Sequence, residues 1–166
     1  MAGFELAELP LAAGVVALAP LPGGSGDFSG DLAALVAWKP SLVISLTESA
    51  EMAALGAGAL AQVLLAEGVG WRHLPIRDYG IPGEAQVAPW RDLSEDVAGV
   101  LQAGGRVLVH CRGGCGRSGM AVLRLMVDLG EPAPQALERL RAVRPCAIET
   151  AAQLEWATAQ ESARGG

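Results

Sequence analysis

The stretch "RVLVHCRGGCGRSGMAVLRLMVDLG", residues 106–130, decides the fold. Its opening "RVLVH" reads as a buried strand, and its apolar second half reads as a helix over about 117–129. Gly130 is placed to serve as the residue just past that helix. Between the two lie Cys111, Arg112, Gly113, Gly114, Cys115 and Gly116. A strand that feeds a glycine loop and then a helix is the geometry of an anion cradle. Glycines let successive N–H groups turn inward as a nest, and the helix N-terminus adds its positive dipole end. The expected ligand is a tetrahedral oxyanion such as phosphate, held by Arg112, Gly113, Gly114, Cys115, Gly116 and Arg117.

Outward from this unit, strand and helix patterns alternate. "GVVAL" at 14–18, "LVISL" at 42–46 and "WRHLPI" at 71–76 read as strands, the last at an edge or strand end because of Pro75. Ser29 to Asp31 offer an N-cap for a helix across "LAALVAW", and Thr47 and Glu51 suit the start of a helical segment running to about Glu67. "DYGIPGE" at 78–84 is turn material. The segment from Val87 carries Trp90, Leu93, Val97 and Leu101 on one helical stripe. Further helices are expected at 134–143, opened by Pro134, and at 150–162. The alternation predicts an α/β fold with a central, mostly parallel sheet flanked by helices, in a single domain with its core at about 12–163.

Bulk composition narrows the function. The 166 residues are 51% hydrophobic and carry a net charge of −6. An acidic chain is a poor nucleic-acid binder, because that affinity rests on phosphate neutralisation by Lys and Arg. It is equally ill-suited to an anionic membrane surface. Three cysteines, Cys111, Cys115 and Cys146, cannot all pair within one chain, and so low and odd a count suits free thiols in a reducing compartment. The first twenty residues lack a basic segment and carry Glu5 and Glu8, unlike a signal peptide. No apolar run reaches bilayer-spanning length. A cytoplasmic protein is expected; its oligomeric state is not legible.

The loop also carries chemistry. A cysteine at a strand end facing a positive nest is favoured as the nucleophilic thiolate. Arg117, six positions after Cys111, can face it across the cradle, and its planar fork matches two phosphate oxygens. Ser118 can hydrogen-bond the sulfur and help it leave. The loop thus supplies a nucleophile, an oxyanion cage and a clamp.

These residues carry a resemblance. "HCRGGCGRSG" is similar to the Cys-x5-Arg-Ser/Thr signature of the cysteine-dependent protein tyrosine phosphatases. Chain length and the late position of the loop are similar to the dual-specificity branch, and within it to cyclin-dependent kinase inhibitor 3-like phosphatases. Low-molecular-weight phosphatases and arsenate reductases carry a related loop near the N-terminus, and rhodanese-like loops generally lack the Arg-Ser ending. The resemblance spans roughly residues 40–160. It implies a protein tyrosine phosphatase-like fold and hydrolysis of phosphomonoesters through a phosphocysteine intermediate, with no metal or cofactor. Within "LPIRDYGIPGE" it implies Asp78 as general acid, then base; the plainer reading makes Asp78 a turn cap. It implies His110 as a buried orienter of the loop, and it places Gln153, in "AIETAAQLEWA", near the attacking water; a Gln on a solvated helix face fits as well.

Weaker candidates complete the reading. Glu84, Asp92 and Asp96 are alternative acids, the last two more simply on a solvated helix face. His73 reads as a strand residue with a satisfied polar tip, and two histidines make no convincing zinc site. Arg139, Arg141 and Arg144 read as a solvent-facing basic run. Cys115 could trap an oxidised Cys111 as a disulfide. With only Arg112 in the loop beyond the clamp, a single phosphate on a protein or small phosphomonoester suits the site better than a multiply charged head group. The competing reading is a catalytically silent phosphate- or phosphoprotein-binding module on the same fold.

Overall fold

In the computed structural model, which describes residues 4–159, the strand before Cys111 is the middle strand of five. The strands are β1 (Ala7–Leu11), β2 (Gly14–Ala19), β3 (Leu42–Ser45), β4 (Gly70–His73) and β5 (Arg106–His110). They lie in the order β1-β2-β5-β3-β4. Only the β1–β2 pair is antiparallel; β2, β5, β3 and β4 run parallel, with Ala19 and Ser45 each in register with His110. The α/β reading with a mostly parallel sheet is therefore met.

Both faces of such a sheet must be covered, and the strand sequences alternate accordingly. Val16, Leu18, Ile44, Val107 and Val109 face one core, while Ala17, Ala19, Val43 and Leu108 face the other. The first core is closed by α4 (Val87–Gln102), α5 (Gly116–Asp128), α6 (Ala133–Val143) and α7 (Ala151–Thr158). The second is closed by α1 (Phe28–Ala37), α2 (Ser49–Ala54) and α3 (Leu60–Ala66). The stripe on α4 is buried as expected: Trp90, Leu93, Val97 and Leu101.

Several boundaries differ from expectation, each for a local reason. β1 lies ahead of the core boundary expected at 12. Its Glu8 and Pro10 point outward while Leu9 and Leu11 are buried, and an edge strand tolerates a proline that cannot donate to the ladder. Asp27, not Ser29–Asp31, caps α1, accepting from Gly30 N at 3.0 Å. Asp31 is buried inside the first turn, where its carboxylate accepts from Gly23 N. The segment expected to run unbroken to Glu67 is two helices. Gly56 adopts φ 78°, and Ala57 N donates back to Met52 O at 2.8 Å, the closure that ends a helix at a left-handed glycine. Residues 160–162 of the last expected helix lie outside the described residues.

α5 is buried from Gly116 to Val127. One position makes that possible. At Gly119 a β-carbon would stand 2.7 Å from Ile148 N and 2.9 Å from Ala147 Cα, so the chain entering α7 rests directly on the α5 backbone. Replacing this glycine by alanine should lower stability by about 1–3 kcal/mol through overpacking, although alanine is the better helix former. Thermal unfolding of Gly119→Ala checks this; a melting temperature at or above wild type would count against the close approach.

Candidate active site

The loop from His110 to Cys115 owes its shape to its carbonyls. Leu46 N donates to His110 O at 3.1 Å, and Leu21 N to Arg112 O at 3.0 Å. His110 Nδ1 donates to Cys111 O at 3.2 Å. Arg144 holds the next two, Nη2 donating to Gly113 O at 2.8 Å and Nε to Gly114 O at 3.0 Å. Cys115 O accepts from Gly119 N and Ile148 N. Six consecutive carbonyls are held, five of them by residues from beyond the loop. Among the described residues, the amides of 112–115 donate to no protein acceptor. Gly114, at φ 74°, makes the turn, and a β-carbon there would stand 2.7 Å from Ala19 C. The loop backbone is thus held by partners that the glycines do not reveal.

Cys111 is buried, a free thiol at the end of β5. It lines a cleft of about 430 Å³ with Asp78, Tyr79, Arg112, Gly113, Cys115, Gly116 and Glu149. A larger cavity of about 500 Å³ lies between α4, α5 and α7 and contains none of the residues expected in the site.

Arg117 emerges from the first turn of α5 and is almost fully buried. Its Nη1 donates to both oxygens of Glu51, at 2.9 and 2.8 Å, and to Ile76 O at 2.8 Å. Its Nη2 lies 3.2 Å from Asp78 Oδ1, while Nε and Nη2 have no hydrogen-bond partner among the described residues. Burial works against the charged form. The Glu51 hydrogen bonds, together with the charges of Cys111, Glu51 and Asp78, outweigh it and raise the pKa above its ordinary value. One edge of the guanidinium is thereby anchored by hydrogen bonds, and the other faces the Asp78 carboxylate without one. Ser118 Oγ, also buried, has no hydrogen-bond partner among the described residues, and so is not bonded to Cys111.

His110 is fully buried and its tautomer follows from its neighbours. Cys111 O can only accept, so Nδ1 carries the proton. Trp71 Nε1 donates to Ser45 Oγ at 2.9 Å, and Ser45 Oγ in turn donates to His110 Nε2 at 2.6 Å. Desolvation is the main cause that lowers the His110 pKa from 6.5 to about 4, with Arg117 and His73 acting in the same direction against the Cys111 carbonyl. His73 Nε2 donates to Thr47 O at 2.7 Å.

Glu51, Arg144 and Glu149 were not singled out for the site by sequence reasoning. Glu51 carried a visible signal, three residues into a helix start, but that signal spoke of capping; the cap residue is Glu48, not Thr47, and its N–H donates to Glu51 Oε2. The basic run is at least partly open to solvent, as expected, but each arginine also has a protein partner. Arg139 pairs with Glu131, Arg141 donates to Ala147 O, and Arg144 clasps the loop. Of the alternative acids, Asp96 pairs with Arg72, and neither it, Asp92 nor Glu84 lines the cleft. Gln153 is buried rather than on a solvated face. Its Oε1 accepts from Glu149 N and Thr150 N, and its Nε2 donates to Gly80 O.

The cysteine reading is corrected as well. Cys115 is bonded to Cys146, which follows the end of α6, so its sulfur is not held in reserve for Cys111. One bridge and one free thiol accommodate an odd count of three.

Residues 25–157 match the family described as PTP-SAK, the DSP-PTPase phosphatase domain of a Swiss Army Knife protein. The chain belongs to this family. The structure of Tk-PTP in its active form is 30% identical, at a TM-score of 0.65 over 85% of this chain and 87% of that one. Kinase associated phosphatase, the cyclin-dependent kinase inhibitor 3 protein, in a form whose catalytic cysteine is replaced by serine, gives a TM-score of 0.84 at 22% identity, over 95% and 93% of the two chains. Human DUSP28 gives 0.68 at 19%, over 97% and 95%. These last two likenesses are of fold alone; the family match over residues 25–157 is what meets the dual-specificity phosphatase expectation drawn from "HCRGGCGRSG". No curated protein sequence matches the chain.

Two predictions follow from the geometry. His110 binds its proton less readily folded than unfolded, so its contribution is complete above about pH 6.5 and is lost as the pH falls towards 4, by about 3 kcal/mol in all. Imidazole ¹⁵N spectra at pH 5.5 should show His110 as the neutral Nδ1–H tautomer; an imidazolium signal would refute the buried network. The Cys115–Cys146 bridge closes a 31-residue separation and should add roughly 3–4 kcal/mol on chain-entropy grounds. Alkylation in denaturant should label one thiol before reduction and three after it, and reduction should lower the melting temperature by several degrees. Three labelled thiols without reductant would exclude the bridge.

Proposed function

We propose that the chain is an active cysteine-dependent phosphatase that hydrolyses a single phosphate ester on a protein side chain, of tyrosine or dual specificity. The observation that carries this is the convergence on one cleft of Cys111, Asp78 and the glycine loop, beside an Arg117 edge whose Nε and Nη2 have no hydrogen-bond partner among the described residues and whose Nη2 faces Asp78.

In this reading the Cys111 thiolate attacks phosphorus while the P–O bond to the leaving group breaks. Asp78, protonated, gives its proton to the departing oxygen. Arg117 and the amides of 112–116 hold the remaining oxygens as charge shifts onto them. Water then attacks the phosphocysteine, loses its proton to the Asp78 carboxylate, and expels the thiolate. Ser118 supplies a hydroxyl to the departing sulfur; its burial without a partner is what supports that role. His110 holds Cys111 O and so fixes where the sulfur stands.

The cleft walls bear on substrate. Asp78 and Glu149 offset Arg112 on the walls, with Arg117 buried behind them, a balance suited to one phosphate rather than a polyphosphorylated head group. A related structure, PTPMT1, is in complex with PI(5)P, but the loop here has no basic residue beyond Arg112 and Arg117 to meet additional phosphates. Among the described residues, no helix is long and apolar enough to cross a membrane. The mechanism needs Cys111 as a free thiol, which a reducing cytoplasm maintains; that same setting puts the Cys115–Cys146 bridge under reducing pressure.

Turnover of p-nitrophenyl phosphate between pH 5 and 7 is the test. Wild type should hydrolyse it, Cys111→Ser should abolish turnover, and Asp78→Asn should lower it by roughly a hundredfold or more. Phosphate binding without turnover in the wild type would replace this reading with a silent phosphoprotein-binding module.

A further inference from the structure

The turn that carries Asp78 is poorly equipped to hold itself. Gly80 N donates to Arg77 O at 2.7 Å, closing a tight turn with Asp78 and Tyr79 at its centre. Tyr79 has φ 63°, the left-handed region that costs a residue with a bulky side chain of order 1 kcal/mol or more. Its ring is 62% exposed and so contributes little packing to offset that cost. A turn of this kind persists only where surrounding contacts over-determine it.

Asp78 Oδ1 accepts from Tyr79 N at 3.1 Å and stands 3.2 Å from Arg117 Nη2, and two glutamines hold the backbone on either side. Gln86 Nε2 donates to Pro75 O at the base of the segment, while its Oε1 accepts from Gly83 N. Gln153 acts at the tip, with Nε2 donating to Gly80 O at 3.2 Å across a sequence separation of 73 residues. Its amide orientation is fixed: Oε1 faces two donors, Glu149 N at 3.0 Å and Thr150 N at 3.3 Å, so Nε2 must face the carbonyl. Gln153 N donates to Thr150 Oγ1, which locks the first turn of α7 and with it the side chain. The whole residue is buried. With Oε1 doubly engaged and one Nε2 hydrogen on Gly80 O, a single N–H remains.

We propose that Gln153 is a positioning residue for the general acid, acting through Gly80 O to hold the Asp78 turn over the cleft. The inference rests on the phosphatase reading, and it assigns Gln153 to the acid step rather than to the attacking water. Loss of the tether lets the turn relax and moves the Asp78 carboxyl off the leaving oxygen. Cys111 and its cradle are untouched.

Gln153→Glu isolates the tether. A glutamate keeps oxygens for the Glu149 and Thr150 amides, so the helix cap survives, but its carboxylate cannot donate to Gly80 O. The readout is kcat/KM, which reports the first chemical step, for a series of aryl phosphates with graded leaving-group basicity. For wild type, log kcat/KM should be nearly flat against leaving-group pKa. In Gln153→Glu it should fall with rising basicity, as in Asp78→Asn, with a loss of about tenfold to a hundredfold on phenyl phosphate and little on dinitrophenyl phosphate. The Asp78→Asn/Gln153→Glu double variant should be no worse than Asp78→Asn alone. Should Gln153→Glu fail to fold, the near-isosteric Gln153→Met carries the same readout.

Three results would overturn the proposal: an unchanged profile in the variant, an equal loss on every substrate, or a normal kcat/KM with a burst and slow dephosphorylation. The last would make Gln153 a water holder. A steep profile in Asp78→Asn with a flat one in Gln153→Glu sinks this inference alone; an inactive wild type sinks the phosphatase reading itself.

Discussion

The site depends on where six carbonyls point. A peptide unit's oxygen and N–H point in opposite directions, so holding the carbonyls of 110–115 turns the following amides away from those donors. Glycine permits that backbone path but does not select it. Selection comes from the residues just past β2, β3 and α6, from α5, from the chain before α7 and from the His110 ring, each of which contributes a donor. Much of the surrounding α/β architecture is in this sense the outer wall of one loop. Shifting any of these elements by a fraction of an ångström would release a carbonyl and spoil the alignment of the amides within.

Charge in the site is arranged in the same spirit. A buried guanidinium needs a counter-charge to stay both ionised and in place. Glu51 and Ile76 O take one side of Arg117, while on the other Nη2 faces the Asp78 carboxylate and Nε has no partner among the described residues. His110, by contrast, is held neutral by burial. It links Cys111 O through Ser45 to the Trp71 ring on the far strand, and it does so without placing a positive charge behind the thiol. Two polar groups in adjacent strata of the core thus have opposite ionisation, set by whether a carboxylate is within reach.

How much of this could be read in the sequence depended on the range of the interaction. The parallel strands and α4 and α5 announced themselves through periodicity, and "HCRGGCGRSG" announced the loop, because each of these signals is local. β1 went unread since Glu8 and Pro10 break the pattern, and only an edge position forgives them. Gly56 hid a helix break inside an Ala- and Leu-rich run. Glu51, Arg144 and Gln153 meet their partners 66, 30 and 73 residues away, so even where a local signal marked Glu51 as a cap and the resemblance marked Gln153, neither told what it would touch. The pairing of Cys115 with Cys146 was missed for the same reason. Counting thiols cannot say which two the fold brings together.

That bridge has a topological consequence. It closes residues 115–146 into a covalent ring that contains α5, α6 and the exposed Gly130 between them. A peptidase that cut the chain at this connection would produce two polypeptides that stay joined, one ending in α5 and the other beginning with α6. The Arg144 clasp would sit on a different polypeptide from the carbonyls it holds, yet remain tethered a few residues from them through Cys146. The loop's outer wall is therefore cross-linked where it would otherwise be most vulnerable to a single break.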